Sequence, residues 1–533
     1  MRPTIAHLKV PRIVGYISSL AALTVAVRIA GFFDKIVLTA FFDLANLEAL
    51  FIAISLPMMT YSVVAAIVNP IVLPGFAGKL GAGDSRGAVR QLQGWLLVLI
   101  PLLLAVTGLI MLFPDAVATV LAPGFDLSRR QFCATLLLKL APLNVVMGLV
   151  PLLSAFQNAQ RAFSLPAFGE LAMKVTATLF VLAMAKTWGM TAPVLGVAMG
   201  MLAYLAILAA TSWKTCALRP SVAFLKEPEF KKMLVLMIAP CLGTVVARVG
   251  EIAERAAAST LAPGSVAALT LARKLVDLPL LIISLTAATV LFTYFAELNQ
   301  AGDRREVARL MDTGMRIMIL IFLPITILTC LLSEPIVSVV YQRGEFGAQA
   351  AYQVSQALFW LAPSMTFLAL EMLLMRHFFS RLDVWTPTVI GLACVGGRIG
   401  LLWLLVGRWE IFGVALAITG SRIIKVAALF LVMRKWRQPA LVPQSLADCT
   451  KIAAAALAAG IACLAVLLMM NNALTSSTLS RASVIISAGG AGVAAYAGAI
   501  LILWRGNLQQ ALFPRNHYAL TASVQMATKK SSL

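Results

Sequence analysis

Apolar residues run along this chain in long blocks of about 20 or more, each closed by a short polar connector that is usually basic. Blocks of that length match the thickness of a bilayer's hydrocarbon core. They predict an all-α polytopic membrane protein with about fourteen transmembrane helices between residues 13 and 504. The first two fall at 13–40 and 46–77, the seventh and eighth at 233–257 and 264–298, and the last two at 449–470 and 482–504.

The punctuation of the first half returns in the second at an offset of about 220 residues. Pro57 falls near Pro279, and GAGDSRGAVRQ from 81 resembles QAGDRREVARL from 300. Pro114 matches Pro335, Leu140-Ala141-Pro142 matches Leu361-Ala362-Pro363, and Pro166 matches Pro387. Two six-helix lobes are therefore expected, at 1–213 and 233–437, joined by a basic cytoplasmic linker at 214–232 that carries Pro220 and Pro228. Six is an even number of crossings, so the lobes are parallel pseudo-repeats about an axis along the membrane normal, with a cavity expected between them. Residues 438–504 add two helices with no counterpart in the repeat. They are rich in small residues (Ala453 to Ala459, Gly489 to Gly492) suited to close packing on a lobe. Residues 505–533 form a cytoplasmic tail.

Composition agrees and adds a topology. Of 533 residues 61% are hydrophobic and only 12% charged, and the mean hydropathy is +0.92. The net charge of +21 comes from 43 Lys and Arg, and most of these fall in the connectors on one side. Basic loops face the cytoplasm, so both termini are cytoplasmic in a multi-pass bacterial inner-membrane protein. The basic excess sets topology and does not suggest nucleic acid, because no fold is left over to bind it. The opening apolar stretch is too long for a cleaved leader and is expected to remain as the first helix. Seven scattered cysteines have neither metal nor disulfide spacing. No phosphate-cradling loop, histidine cluster or connector of catalytic-domain size is present, so an ATPase or a catalyst is not expected.

Charges inside the apolar blocks carry the candidate chemistry, because each costs about 2.5–3.5 kcal/mol near the centre of a membrane helix. Arg28, Asp34 and Lys35 sit in the first block, and Arg28 and Lys35, seven residues apart, share a side. A short amphipathic turn at the membrane surface is the alternative. Glu48 opens the second block. The seventh carries Arg248, Glu251, Glu254 and Arg255, and the eighth carries Arg273, Lys274 and Asp277. Arg28, Lys35, Arg248, Arg255, Arg273 and Lys274 suit an anionic headgroup, since guanidinium and ammonium groups hold phosphate by charge-assisted hydrogen bonds. Asp34, Glu48, Glu251, Glu254 and Asp277 would be counter-charges or coupling sites, or each could lock helices together in a buried ion pair. Lys139, Lys174, Arg398, Arg422 and Lys425 read as snorkelling side chains or helix contacts.

In LAPGFDLSRRQF (121–132), SAFQNAQRAFSLPAFGELAMKV (154–175) and ARKLVDLP of the eighth block, the chain resembles the MurJ (MviN) family of lipid II flippases, within the multidrug/oligosaccharidyl-lipid/polysaccharide (MOP) superfamily. The resemblance implies fourteen helices in two lobes around a cationic cavity, with a lipid-tail groove at the last two. It also implies alternating access for an undecaprenyl-diphosphate-linked saccharide used in cell-envelope synthesis, driven by the membrane potential or by an H+ or Na+ gradient. The family's first-helix arginine falls on Arg28, and the acidic residue opening its second helix falls on Glu48. The Arg and Glu of its eighth helix become Lys274 and Asp277. This member is divergent: the first-helix Arg-Asp pair is reversed as Asp34-Lys35, and the arginine after the second-helix Leu-Pro falls near Tyr61 and Ser62, where no basic residue stands. Arg248, Glu254 and Arg255 lie outside the family pattern. An exopolysaccharide repeat-unit flippase is the alternative reading. A drug or cation antiporter of the superfamily would need few buried cations, and a non-transporting scaffold would not need charges in both lobes. The expected partners are the lipid-linked saccharide, membrane lipids and envelope-synthesis enzymes, the working unit is a monomer, and no cofactor is expected.

Overall fold

The computed structural model describes residues 10–213, 221–280, 295, 298, 304–381, 383, 385–435, 443–470 and 478–504, with side chains in the first helix from Ala22 onward. Residues 214–220 of the basic linker and the tail at 505–533 lie outside the described residues. Among those residues every regular element is helical.

The first unit begins with α1 (Val10–Phe41), α2 (Leu44–Ile67) and α3 (Leu73–Gly81). A π turn, Val68–Val72, joins α2 to α3. Pro70 lies in that turn, where a residue without an N–H leaves one carbonyl unpaired and the wider turn re-spaces the ladder. Next come α4 (Ser85–Leu112), α5 (Pro114–Leu121), α6 (Leu127–Leu140), α7 (Leu143–Ala159), α8 (Ser164–Trp188) and α9 (Thr191–Trp213). Asp84 caps α4, its Oδ1 accepting the Gly87 amide at 2.7 Å. α10 (Pro228–Ser259) begins inside the linker expected at 214–232, with Pro228 at its first position, where a missing N–H costs nothing, and α11 (Ser265–Pro279) follows. The remaining helices are α12 (Arg304–Leu331), α13 (Ser333–Tyr341), α14 (Ala348–Leu361), α15 (Ser364–Ser380), α16 (Trp385–Lys435), α17 (Pro443–Met469) and α18 (Thr478–Leu503).

The repeat read from the sequence reappears as geometry. Pro114 opens the 8-residue α5, and Pro335 lies in the first turn of the 9-residue α13. Leu140-Ala141-Pro142 separates α6 from α7 with a bend of 47°, and Leu361-Ala362-Pro363 separates α14 from α15 with one of 46°. The same tripeptide makes the same bend because proline removes a backbone donor and crowds the preceding turn. Among the described residues, nine helices are long and apolar enough to cross a membrane, or up to eleven if each bent pair is one span. That criterion does not reach fourteen: the part of α1 from Ala22 onward carries three charges, and α11 runs into residues outside the description.

The described residues within 1–271, 341–350 and 402–414 pack as one compact unit, and those within 272–340, 351–401 and 415–504 as another. In the first, α8 packs along α9 and α1, and α2 packs on α7, α6 and α10. α10 is held near both its ends. At its start Lys79 Nζ lies 3.0 Å from Glu227 and 3.2 Å from Glu229, while Phe224, Phe230 and Trp95 pack in tilted and edge-on pairs with ring centres 5.3–6.3 Å apart. At its end the Gly124 amide donates to Ser259 Oγ at 3.1 Å. A Cβ on Gly124 would collide with the Ser259 carbonyl oxygen and the Thr260 backbone, so the approach needs glycine.

In the second unit α17 and α18 pack on each other and on α12. Ile452, Ala455, Ile500 and Trp504 bury themselves against Ile319, Leu320 and Leu323. Small residues make the crossing: a Cβ on Gly492 would come 2.5 Å from Leu328, and one on Gly460 2.9 Å from Ile327. Arg316, 4% exposed, is sealed between Asp312 at 3.0 Å and Asp448 at 2.7 Å, which ties α12 to α17.

Candidate functional site: a mixed-charge cluster in the first unit

α1 carries its charges where α8 packs against it. Lys35 Nζ pairs with Asp34 Oδ2 at 2.8 Å, each side chain 17% exposed, and sits 5.0 Å from the centre of the Phe51 ring on α2. Thr178 on α8 donates to the Lys174 carbonyl at 2.9 Å and stands 3.5 Å from Asp34 Oδ1. One turn below, Lys174 lies 3.9 Å from Glu170, and a Cβ on Gly31 would be 3.2 Å from its Nζ. Gly31 is thus the notch in α1 that receives Lys174. The field at Lys174 is set by Glu170, Lys35, Asp34 and Arg28 together. Arg28 is exposed. Tyr61 of α2 feels both Arg28 and Glu170, and Tyr204 of α9, 3.4 Å from Ser154, borders Tyr61 and Glu170.

Three cations and two carboxylates therefore gather on two packed helices, α1 and α8. The sequence reading found Arg28, Asp34 and Lys35. It missed Glu170 and set Lys174 aside as a snorkelling residue. The available signal was their i, i+4 spacing in the quoted stretch SAFQNAQRAFSLPAFGELAMKV, with Gly31 on α1 as the complementary gap. Near Tyr61 and Ser62, where the resemblance leads one to expect a second-helix arginine, no basic residue stands, and Lys174 brings a cation to the cluster from α8.

Glu48 has a different task from the other acids. It is 1% exposed, and its two oxygens accept the amides of Gly264 at 2.9 Å and Val266 at 2.8 Å, with Arg129 Nη1 at 3.7 Å. A carboxylate on the first amides of a helix satisfies donors that have no partner within the helix and complements its dipole. Glu48 thus caps α11. Arg129 is oriented in turn by Asp126, 2.6 Å from its Nε, and by the Phe125 ring, 5.1 Å away. That hydrogen bond from Arg129 holds the exposed Asp126 carboxyl below the usual carboxylate range. The stretch LAPGFDLSRRQF is accordingly a clasp on the ends of α2 and α10 and the start of α11.

On α10, Arg248 Nη1 pairs with Glu251 at 2.6 Å, one helical turn on. Glu254 is 4% exposed and Arg255 half-buried, and both are engaged by other groups. Arg273 and Asp277 are half-buried on α11 in the second unit, and Lys274 is exposed.

The comparisons with known proteins agree with one another. A family model described as lipid II flippase MurJ matches residues 37–483. A probable lipid II flippase MurJ of Rickettsia prowazekii is 23% identical over 406 residues, 74% of this chain and 79% of its own length. One of Rhizobium meliloti is 24% identical over 380 residues, 69% of this chain and 70% of its own. Among solved structures, a lipid II flippase MurJ in an inward closed conformation superposes with a TM-score of 0.75 at 19% identity, covering 91% of this chain and 98% of that one. An inward-facing multidrug resistance MATE family transporter of the MOP superfamily superposes with a TM-score of 0.67 at 14% identity, covering 77% and 94%.

Proposed function

The chain belongs to the lipid II flippase MurJ family, a family of transporters and not of catalysts, and from that premise we propose that it carries a lipid II-like undecaprenyl-diphosphate-linked saccharide across the bacterial inner membrane by alternating access. The carrying observation is the cluster of Arg28, Lys35 and Lys174 with Asp34 and Glu170 inside helices that are otherwise apolar. A diphosphate can exchange for the carboxylates as the partner of those cations, so its charge is met inside the membrane without stripping it bare. Arg248, Arg255, Arg273 and Lys274 are the further headgroup contacts in this reading, and Asp34, Glu251, Glu254 and Asp277 the counter-charges or coupling groups. Transport runs from the cytoplasmic to the outer leaflet, both termini are cytoplasmic, the working unit is a monomer, and the membrane potential or an H+ or Na+ gradient supplies the energy.

A second reading, an exopolysaccharide repeat unit as cargo, is favoured by the altered clamp: Lys274 and Asp277 where the family has Arg and Glu, and Tyr61 and Ser62 where it has an arginine. Arg to Lys loses the bidentate fork, which changes how a diphosphate is gripped. Drug or cation antiport fits poorly with so many cations set in otherwise apolar helices. Depleting the protein in its host and weighing the undecaprenyl-linked intermediates that accumulate tests all three. Lipid II with lysis supports the first reading, and another lipid-linked oligosaccharide with a missing surface polymer supports the second. No lipid-linked intermediate accumulating sinks both.

A further inference from the structure

The head of α10 and the turn before it lie on α4 in a contact that packs well and pairs badly. Met233 and Phe224 sit in notches left by two glycines: a Cβ on Gly75 would lie 2.5 Å from the Met233 methyl, and one on Gly94 2.8 Å from the Phe224 ring. Against these side chains α4 sets Gln91 and Trp95, one helical turn apart and 0% and 4% exposed. Among the described residues neither Gln91 Oε1 nor Trp95 Nε1 has a hydrogen-bond partner. Gln91 Nε2 reaches the Val72 carbonyl only at 3.5 Å and Met233 Sδ at 3.8 Å. Turning the amide over would set its oxygen against that carbonyl, so one polar atom stays unpaired in either setting.

A buried amide oxygen without a donor destabilises the state that buries it, and an apolar side chain of the same shape does not. The contact is therefore weaker than its packing. What closes it is a latch at the surface. Lys79 of α3 bonds Glu227 and Glu229 and lies 4.8 Å from the centre of the Phe224 ring, with side-chain exposures in the latch running from 15% to 56%. Ion pairs that stay in touch with water hold weakly.

The parts around the latch are built to give. α3 carries Lys79 on the π turn Val68–Val72, a break in the helical ladder of the kind frequent at functional sites. Gln91 touches both sides of that joint, Val72 at the end of the turn and Met233 on α10. Beside the latch a cavity of about 560 Å3, lined among others by Gly78, Lys79, Arg90, Glu229 and Met233, leaves these side chains room to move. The other end of α10, where Gly124 meets the Ser259 and Thr260 backbone, has no such slack and anchors the helix.

We infer that residues 224–233 form a strap that lifts from α4 as the transporter changes state, with Lys79 as its latch and Gln91 as the positioning residue whose unpaired amide keeps the closed strap releasable. Opening gives the Gln91 oxygen and the Trp95 indole N–H to water. The link to transport rests on the flippase reading; the opening itself rests on the packing.

Trypsin reads the strap, since Lys226, Lys231 and Lys232 stand exposed on it and cleavage of a transiently opened segment follows the open population. In the purified full chain, Gln91→Met keeps the shape and removes the amide. Its nicking at these lysines should be about fivefold or more slower than in the parent, and its thermal unfolding should shift upward. Lys79→Gln should nick about threefold or more faster. In a depletion strain Gln91→Met should impair growth while folded membrane levels match the parent. Unchanged or faster nicking in folded Gln91→Met overturns the strap and makes the amide part of a fixed packing. Slow nicking with full transport overturns its place in the cycle. The nicking arm needs no cargo, so a strap that opens in a chain whose depletion accumulates no lipid-linked intermediate upholds the strap and sinks the flippase reading.

Discussion

Among individual residues, acids of similar appearance in the sequence divide by what their oxygens meet. Glu48 spends both on backbone amides, so its loss is a loss of fold: Glu48→Ala leaves two buried N–H groups and Arg129 uncompensated. Thermal unfolding in detergent should show a destabilisation of roughly 2–4 kcal/mol. Lys174 belongs to the other kind. Lys174→Met or Arg28→Ala should abolish transport in a depletion strain while membrane levels of folded protein stay near those of the parent; an equal fall in both would make these residues structural. Asp126 gives a pH expectation with a definite sign. Its carboxyl is held below the ordinary value of about 3.9, so its contribution is fully present above that value and fades only as pH falls through the lower folded-state value. Proteolytic nicking of the 122–127 turn should therefore be flat between about pH 5 and 8 and rise only in stronger acid. Arg28, Asp34 and Lys35 were legible because charge inside an apolar run announces itself. Glu170 and Lys174 were not, since a lysine four residues from a glutamate on a helix is an ordinary surface pattern until Gly31 of another helix is found beside it.

Helices and their crossings were the most readable layer. The Leu-Ala-Pro tripeptides foretold two bends of nearly equal angle, and the Ala- and Gly-rich last helices foretold close packing, delivered at Gly460 and Gly492. The clasp at 121–132 was visible only as a family stretch, because the Gly124 amide that meets Ser259 and the Arg129 guanidinium that meets Glu48 find partners far away in the chain, which no local spacing announces. Gly124→Ala should lower stability by about 1–3 kcal/mol in the same unfolding assay, since backbone atoms of Ser259 and Thr260 occupy the space its Cβ needs. Arg316→Ala should cost about 3–5 kcal/mol, seen as a fall in monodisperse protein on size-exclusion chromatography, because the buried Asp312 would lose its cation and Asp448 would keep only Lys451 at 3.7 Å.

Across the whole molecule the charge distribution makes a topological prediction: a C-terminal green fluorescent protein fusion should fluoresce and a C-terminal alkaline phosphatase fusion should be inactive. The opposite pair of results would invert the orientation and with it the proposed direction of transport. α10 adds a consequence of another kind. Through Lys79 and Phe224 near its start and Gly124 at its end it is riveted to the helices that precede it, although the doubled sequence assigns it to the later half. A chain that arose by copying one ancestral half would carry its seam of descent in the basic linker before α10. Its seam of cohesion lies after that helix, so inheritance and mechanics divide this protein at different places.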